Sequence, residues 1–150
     1  MIKHIKCDIF KSGADVICHQ VNCQGVMGSG IAKQVRAKYP WVYEQYKEFC
    51  RKVPFPLGSV QTVPINETQV IINLFAQENF GYDRKCYTDY KSLEDGLYFV
   101  RDTYDNQTIA IPYLMGCYRG GGDWNVVYKI IEEVFKNYNG KVLICEYNGG

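Results

Sequence analysis

Val16-Ile-Cys-His-Gln-Val-Asn22-Cys-Gln-Gly25-Val-Met-Gly28-Ser-Gly30-Ile-Ala-Lys-Gln-Val35-Arg-Ala-Lys-Tyr39-Pro40 is the stretch that decides the fold. It reads as an apolar strand, a glycine-rich loop and an amphipathic helix ended by proline. That order brings bare backbone N–H groups and a helix N-terminus to one point, which suits a phosphate or pyrophosphate. The spacing excludes two common phosphate loops. A P-loop needs Lys-Ser/Thr after its last glycine, and Gly30 is followed by Ile31-Ala32. A dinucleotide fingerprint needs G-x-G-x-x-G, whereas Gly25, Gly28 and Gly30 give G-x-x-G-x-G. Taken as spacing alone, the loop means an anion near a helix start, or simply a tight strand-to-helix turn.

Outward from this stretch, the remaining segments alternate between strand and helix character. Ile2–Ile9 reads as a strand, Val42–Arg51 as a helix broken by Pro54-Phe-Pro56, and Val60–Ile65 and Val70–Phe75 as strands split at Asn66-Glu67. Tyr90–Tyr104 is a helix and Thr108–Pro112 a buried strand. A second glycine-rich loop covers Gly116–Gly122, Asp123 caps the helix Trp124–Tyr138, and Val142–Tyr147 is the last strand. The pattern predicts an α/β domain with a mostly parallel sheet covered on both faces, and a single crevice at the carboxyl ends of its strands.

Composition bounds the rest. The 150 residues fit one domain, and 47% hydrophobic with 22% charged content is ordinary for a globular chain. A net charge of +1 gives no argument for nucleic-acid binding. No apolar run approaches the roughly 20 residues of a membrane span, and Met1-Ile-Lys-His-Ile-Lys has no signal-peptide character. Seven cysteines, an odd number with no C-x-x-C pair, support neither a disulfide framework nor a zinc site; a reducing, cytoplasmic setting is expected. Thirteen tyrosines offer surfaces for flat ligands, though half-burial accounts for most of them.

Three matches in order along the chain resemble a macrodomain, an ADP-ribose-binding module. They are Asp8 after the first strand, His19-Gln-Val-Asn22-Cys-x-Gly-x-x-Gly-x-Gly30-Ile-Ala, and Ile111-Pro-x-x-x-Gly116-Cys-x-x-Gly-x-x-x-Trp124. The class it most resembles is the small one holding the terminal ADP-ribose glycohydrolase and the fungal ADP-ribose-1″-phosphate phosphatase. Residues 17–40 are especially similar to the phosphatase. Gly81-Tyr-Asp83-x-Lys85-x-Tyr87-Thr resembles a loop of bacterial and phage-type members. The resemblance implies a single macrodomain over residues 1–150: a three-layer α/β/α fold with a mixed, mostly parallel six-stranded sheet.

It also implies a site. Asp8 would accept the adenine amino group, with the Ile9 N–H facing the ring and Tyr147 stacking on it. Asn22 would bond the distal ribose. Gly28, Ser29, Gly30 and Ile31 would lie against that ribose and the diphosphate, and Gly116, Cys117, Tyr118, Arg119, Gly120 and Gly121 would close from the other side. Each has a plain alternative: Asp8 and Asn22 as turn residues, Arg119 and Tyr147 as solvated surface. His19 matches the phosphatase histidine and would move protons; its alternative is a satisfied buried histidine. Asp123 would be a second acid–base group, or only a helix cap. The chain departs from the glycohydrolase pattern, whose aspartate falls on Gly120 here and whose lysine falls near Gln77-Glu78, with Arg84 and Lys85 in the next loop. Arg119 favours a terminal phosphate. The function implied is ADP-ribose binding with hydrolysis of ADP-ribose-1″-phosphate or an ADP-ribosyl ester; the alternative is a non-catalytic reader or sponge. Partners would be ADP-ribose or an ADP-ribosylated substrate, nucleic acid only where it carries ADP-ribose, and no membrane. No metal and no cofactor are expected, and a monomer suffices.

Overall fold

The computed structural model describes residues 1–81, 83 and 85–147. Six strands, β1 (Ile2–Lys6), β2 (Val16–Asn22), β3 (Val60–Pro64), β4 (Val70–Gln77), β5 (Thr108–Pro112) and β6 (Lys141–Glu146), form one sheet in the order β1-β6-β5-β2-β4-β3. All neighbours are parallel except β3, which runs antiparallel to β4. Helices α1 (Gly30–Lys38) and α2 (Pro40–Lys52) cover one face, and α3 (Tyr90–Thr103) and α4 (Trp124–Val134) the other. This is the expected three-layer α/β/α arrangement.

Strand alternation divides the core. Val16 and Cys18 of β2, with Ile72, Leu74 and Ala76 of β4, face Leu93, Leu97, Val127 and Ile131 of α3 and α4. Ile17 and Val21, with Ile71 and Phe75, face Val35, Val42 and Tyr46 of α1 and α2. Polar residues interrupt this alternation at the carboxyl end of the sheet: His19, Asn73 and Gln77 are buried there. The β2–β4 register shifts between Val21 and Asn22, so Val21 pairs Phe75 while Asn22 pairs Gln77. Ala76 is the extra residue of this bulge, and it re-aims Gln77. Among the described residues no helix is long and apolar enough to cross a membrane.

Several predicted boundaries move. The first strand stops at Lys6 rather than Ile9 because the Asp8 carboxylate accepts from Phe10 N at 3.0 Å and starts a 3-10 turn, Ile9–Lys11. Pro40 opens α2 at its first position as well as ending α1, so that helix runs Pro40–Lys52 instead of Val42–Arg51. The β3 strand ends at Pro64, β4 continues to Gln77, α3 ends at Thr103, and β6 spans Lys141–Glu146. The largest difference is in α4, which ends at Val134, not Tyr138. Tyr138 is held out of the helix by its hydroxyl, which meets the carbonyls of Tyr104 and Gln107 (2.9 Å to the latter) and accepts from Gln107 N at 3.1 Å. Helical periodicity carries no sign of that distant hydrogen bonding.

Replacing Tyr138 by Phe keeps the ring and strands these backbone groups, so it should cost roughly 1–3 kcal/mol. Denaturant titration checks this; an unchanged unfolding midpoint would mean that water replaces the hydroxyl without loss.

Candidate functional site

The carboxyl ends of β2, β5 and β6 open into a crevice of about 400 Å³. The loops after β2 and β5 form its two sides. On the first side the backbone is shaped by a residue from α2. Tyr46 is fully buried, and burial pushes its hydroxyl well above its ordinary range. That hydroxyl accepts from Val26 N at 3.1 Å. It donates its one proton toward the main-chain or side-chain oxygen of Asn22, both 2.8 Å away. Asn22 in turn accepts from Gln24 N at 2.9 Å and donates to Val26 O at 2.9 Å. One amide hydrogen of Asn22 is left over for a ligand. The loop then reaches Ser29, the cap of α1, whose side chain makes no capping hydrogen bond. The first turn of α1, from Gly30 (φ +57°) through Ala32, therefore presents uncapped N–H groups at the crevice wall.

The second side rests on a network of amides. Gln20 Nε2 donates to Gln77 Oε1 at 2.7 Å and Thr88 Oγ1 at 2.8 Å. Thr88 donates to Gly116 O at 2.7 Å, and Gln77 donates to Asn79 O at 2.9 Å. Gly120 O accepts from Tyr87 N (2.7 Å) and Thr88 N (2.9 Å). The fit explains the glycines here. A Cβ on Gly120 would lie 2.5 Å from Thr88 Oγ1 and 2.6 Å from Gly116 O, and one on Gly121 (φ +64°) would lie 2.0 Å from Lys85 O.

Asp8, Ile9, His19, Asn22, Gly28, Ser29, Gly30, Ile31, Gly116, Tyr118, Arg119, Gly120 and Tyr147 all line the crevice. Cys117, Gly121 and Asp123 are not among its lining residues. Burial pushes the Cys117 thiol up to about 11. Asp123 is exposed and caps α4, accepting from Asn125 N at 2.8 Å. Lys85 is 75% exposed with its Nζ 4.0 Å from Asp83; Arg84 lies outside the described residues. Where the glycohydrolase lysine was counted, Gln77 is buried in the amide network. Sequence reasoning missed Gln20, Gln77, Phe80 and the strip Pro112–Met115, which also line the crevice. It missed Tyr46 and Thr88 as supports too. Gln20 had a usable signal, standing two residues before Asn22 on the same strand face; Tyr46 and Thr88 had none.

His19 is 2% exposed. Burial lowers its pKa to about 4, the hydrogen bond with Asn73 opposing in part. Nε2 lies 2.5 Å from Asn73 Oδ1, and Nδ1 is buried with no partner among the described residues. The imidazole is thus neutral at pH 7, an acceptor rather than a cation. Among the described residues no group of three or more His, Cys, Asp or Glu is placed to hold a metal ion.

Comparison with solved structures identifies this fold. The macrodomain of Mycobacterium tuberculosis DarG superposes with a TM-score of 0.78 over 97% of each chain at 23% identity. The chain has the macrodomain fold. No family model matches it. By sequence it is 29% identical over 140 residues to the DNA ADP-ribosyl glycohydrolase of Mycobacterium tuberculosis, covering 91% of this chain and 39% of that one. It therefore spans about two-fifths of that relative's length. It is 26% identical to an ADP-ribose 1″-phosphate phosphatase of Saccharomyces cerevisiae, with 97% of each covered.

Because His19 titrates near 4 when folded and near 6.5 when unfolded, the unfolded chain binds more protons between these values. His19 therefore costs the fold nothing above pH 6.5. It removes stability as pH falls from 6.5 toward 4, on the order of 3 kcal/mol at the lower end. Denaturation curves at pH 7.5 and 4.5 should show this loss in the native sequence and less of it in His19→Gln. Parallel losses in the two would show that His19 is not held neutral.

Proposed function

We propose that the crevice binds ADP-ribose and that the protein hydrolyses a bond at its distal ribose, releasing phosphate from ADP-ribose 1″-phosphate or ADP-ribose from an ADP-ribosylated substrate. The observation that carries this is the pairing of two glycine loops across one crevice: the uncapped start of α1 on one side and Gly116–Gly120 on the other. A diphosphate between them meets N–H groups and a helix N-terminus, with Arg119 at the rim. Asp8 keeps one carboxylate oxygen uncommitted for the adenine amino group, since the other accepts from Phe10 N. Tyr147, 53% exposed, lies at the same end. The left-over amide hydrogen of Asn22 suits a ribose hydroxyl. The names of both relatives point the same way.

For turnover, neutral His19 takes a proton from the attacking water and gives it up to the oxygen that departs as the bond breaks, and the loops stabilise charge on the phosphate oxygens. Asp123 is assigned to capping α4, not to proton transfer. The seven cysteines are all free, in keeping with a reducing, cytoplasmic setting. A second reading, binding without turnover, draws on one observation: Gly120 stands where the aspartate of the glycohydrolase pattern falls, and its lysine falls near Gln77-Glu78, where there is no lysine.

Calorimetric titration with ADP-ribose, AMP and ADP tests recognition. Micromolar binding that needs the distal ribose is expected; no heat with ADP-ribose rejects the assignment. His19→Ala should abolish turnover of ADP-ribose 1″-phosphate or of an ADP-ribosylated oligonucleotide and leave binding in place. Turnover that survives this change removes His19 from the mechanism.

Tyr46→Phe retains the buried ring but releases Asn22 and Val26. Affinity for ADP-ribose should fall about tenfold, the worth of roughly 1.4 kcal/mol of lost loop order, with secondary structure unchanged by circular dichroism. Unaltered affinity would mean that the loop holds its shape without the hydroxyl.

A further inference from the structure

His19, Asn73 and Gln61 form a row across three adjacent strands. His19 of β2 is paired in register with Asn73 of β4, and Asn73 with Gln61 of β3. Each touches the next: His19 Nε2 to Asn73 Oδ1 at 2.5 Å, and Asn73 Nδ2 to Gln61 Oε1 at 2.9 Å. Gln61 Nε2 continues to the main-chain carbonyl of Gln45 in α2 at 3.1 Å. His19 and Asn73 are buried, so water cannot relieve a mismatched contact cheaply.

Taken alone, the His19–Asn73 contact leaves the proton undecided, because either partner can donate. The far end decides it. A carbonyl only accepts, so Gln61 must turn its NH₂ toward Gln45 and its Oε1 toward Asn73. Asn73 must then give an N–H to Gln61 and turn its Oδ1 toward His19. His19 must donate in its turn. Just one assignment gives every contact a donor and an acceptor: the neutral ring carries its proton on Nε2, and Nδ1 is a bare lone pair.

We infer that Asn73, oriented through Gln61 by the α2 carbonyl, is a positioning residue that locks His19 in the Nε2–H tautomer, with Nδ1 as the ring's free acceptor. The inference deepens the proposed function and rests on it in one respect: the use of Nδ1 to take a proton at the distal ribose. The lock itself does not depend on catalysis. A histidine that takes a proton needs the correct nitrogen bare, and a one-way row of amides supplies this without adding a charge that would make the ring cationic.

The chain has two histidines, His4 and His19, so long-range proton–nitrogen NMR can report each ring, with His19→Gln assigning the signals. The expected result is an Nε2–H pattern for His19 that persists from pH 8 to pH 5.5. Asn73→Asp keeps an acceptor facing Nε2 but adds charge: the tautomer should hold, and the His19 titration should move upward from its native value. Gln61→Leu, at a half-buried position, frees Asn73 to rotate, and the Nε2–H preference should weaken. An Nδ1–H pattern in the native protein overturns the lock, as does an unchanged pattern in both Gln61→Leu and Asn73→Leu. If the tautomer behaves as expected while Asn73→Asp leaves the pH–rate profile of hydrolysis unmoved, the lock stands and the catalytic reading of His19 falls.

Discussion

Three polar side chains at the carboxyl end of β2, His19 buried and Gln20 and Asn22 half-buried, seek hydrogen-bond partners at the edge of the core, and the architecture of the crevice follows from the partners they find. A polar group buried without a partner costs about as much as a hydrogen bond is worth, or more. Successive strand residues point to opposite faces, so His19 and Gln20 seek partners in opposite directions. His19 finds a partner for Nε2 sideways, in a row that runs through β4 and β3 into α2, and its Nδ1 has none among the described residues. Gln20 donates from Nε2 to Gln77 and Thr88, the latter holding Gly116, and its Oε1 has no partner among the described residues. Asn22, at the strand's end, is satisfied by Tyr46 and by its own loop. Each of the two glycine loops is thereby tied to the same strand.

This arrangement separates the groups that shape the site from those that face a ligand. Tyr46, Thr88, Asn73 and Gln61 do not line the crevice, yet they orient groups that do. Small changes in α2 are therefore felt at the first loop, since one helix supplies both the Tyr46 hydroxyl and the Gln45 carbonyl. The same reasoning accounts for the mixed character of the sheet. The antiparallel β3 brings Gln61 beside Asn73 and beneath α2, completing a polar row that would otherwise end in the apolar packing around Phe75.

Much of this was legible in the chain before any coordinates. The strand–loop–helix unit at residues 16–40 is spelled out by local rules: apolar run, glycine spacing, helical period, proline stop. The strand Thr108–Pro112 and the cap at Asp123 were legible for the same reason, being decided by neighbours a few residues away. What was not legible depends on contacts far apart in sequence. Tyr138 leaves α4 because of carbonyls more than thirty residues earlier. The Gly120 loop needs its glycines because Thr88 and Lys85 lie against it. His19 illustrates both sides: its place on a buried strand was readable, but the amide facing it lies 54 residues further along the chain.

The side chains beneath the crevice form an uncharged floor of amides, a hydroxyl and a neutral imidazole: Gln20, Gln77, Asn22, Thr88 and His19. The charged side chains that line the crevice are Asp8, Arg119 and Glu146. Buried charge would carry a desolvation penalty in the empty protein that amides with satisfied hydrogen bonds avoid. Fixed dipoles also need little reorganisation when charge develops on a ligand, whereas flexible cations must be gathered and ordered. Under the proposed function, a floor of this kind would orient a sugar through hydroxyl contacts and leave the diphosphate to backbone N–H groups. Gln77, one of the two residues near which the lysine of the glycohydrolase pattern falls, fits that scheme. A charged amine at that point would sit within hydrogen-bonding reach of the Gln20 amide and Asn79 carbonyl, and would compete with the network that holds the second loop down.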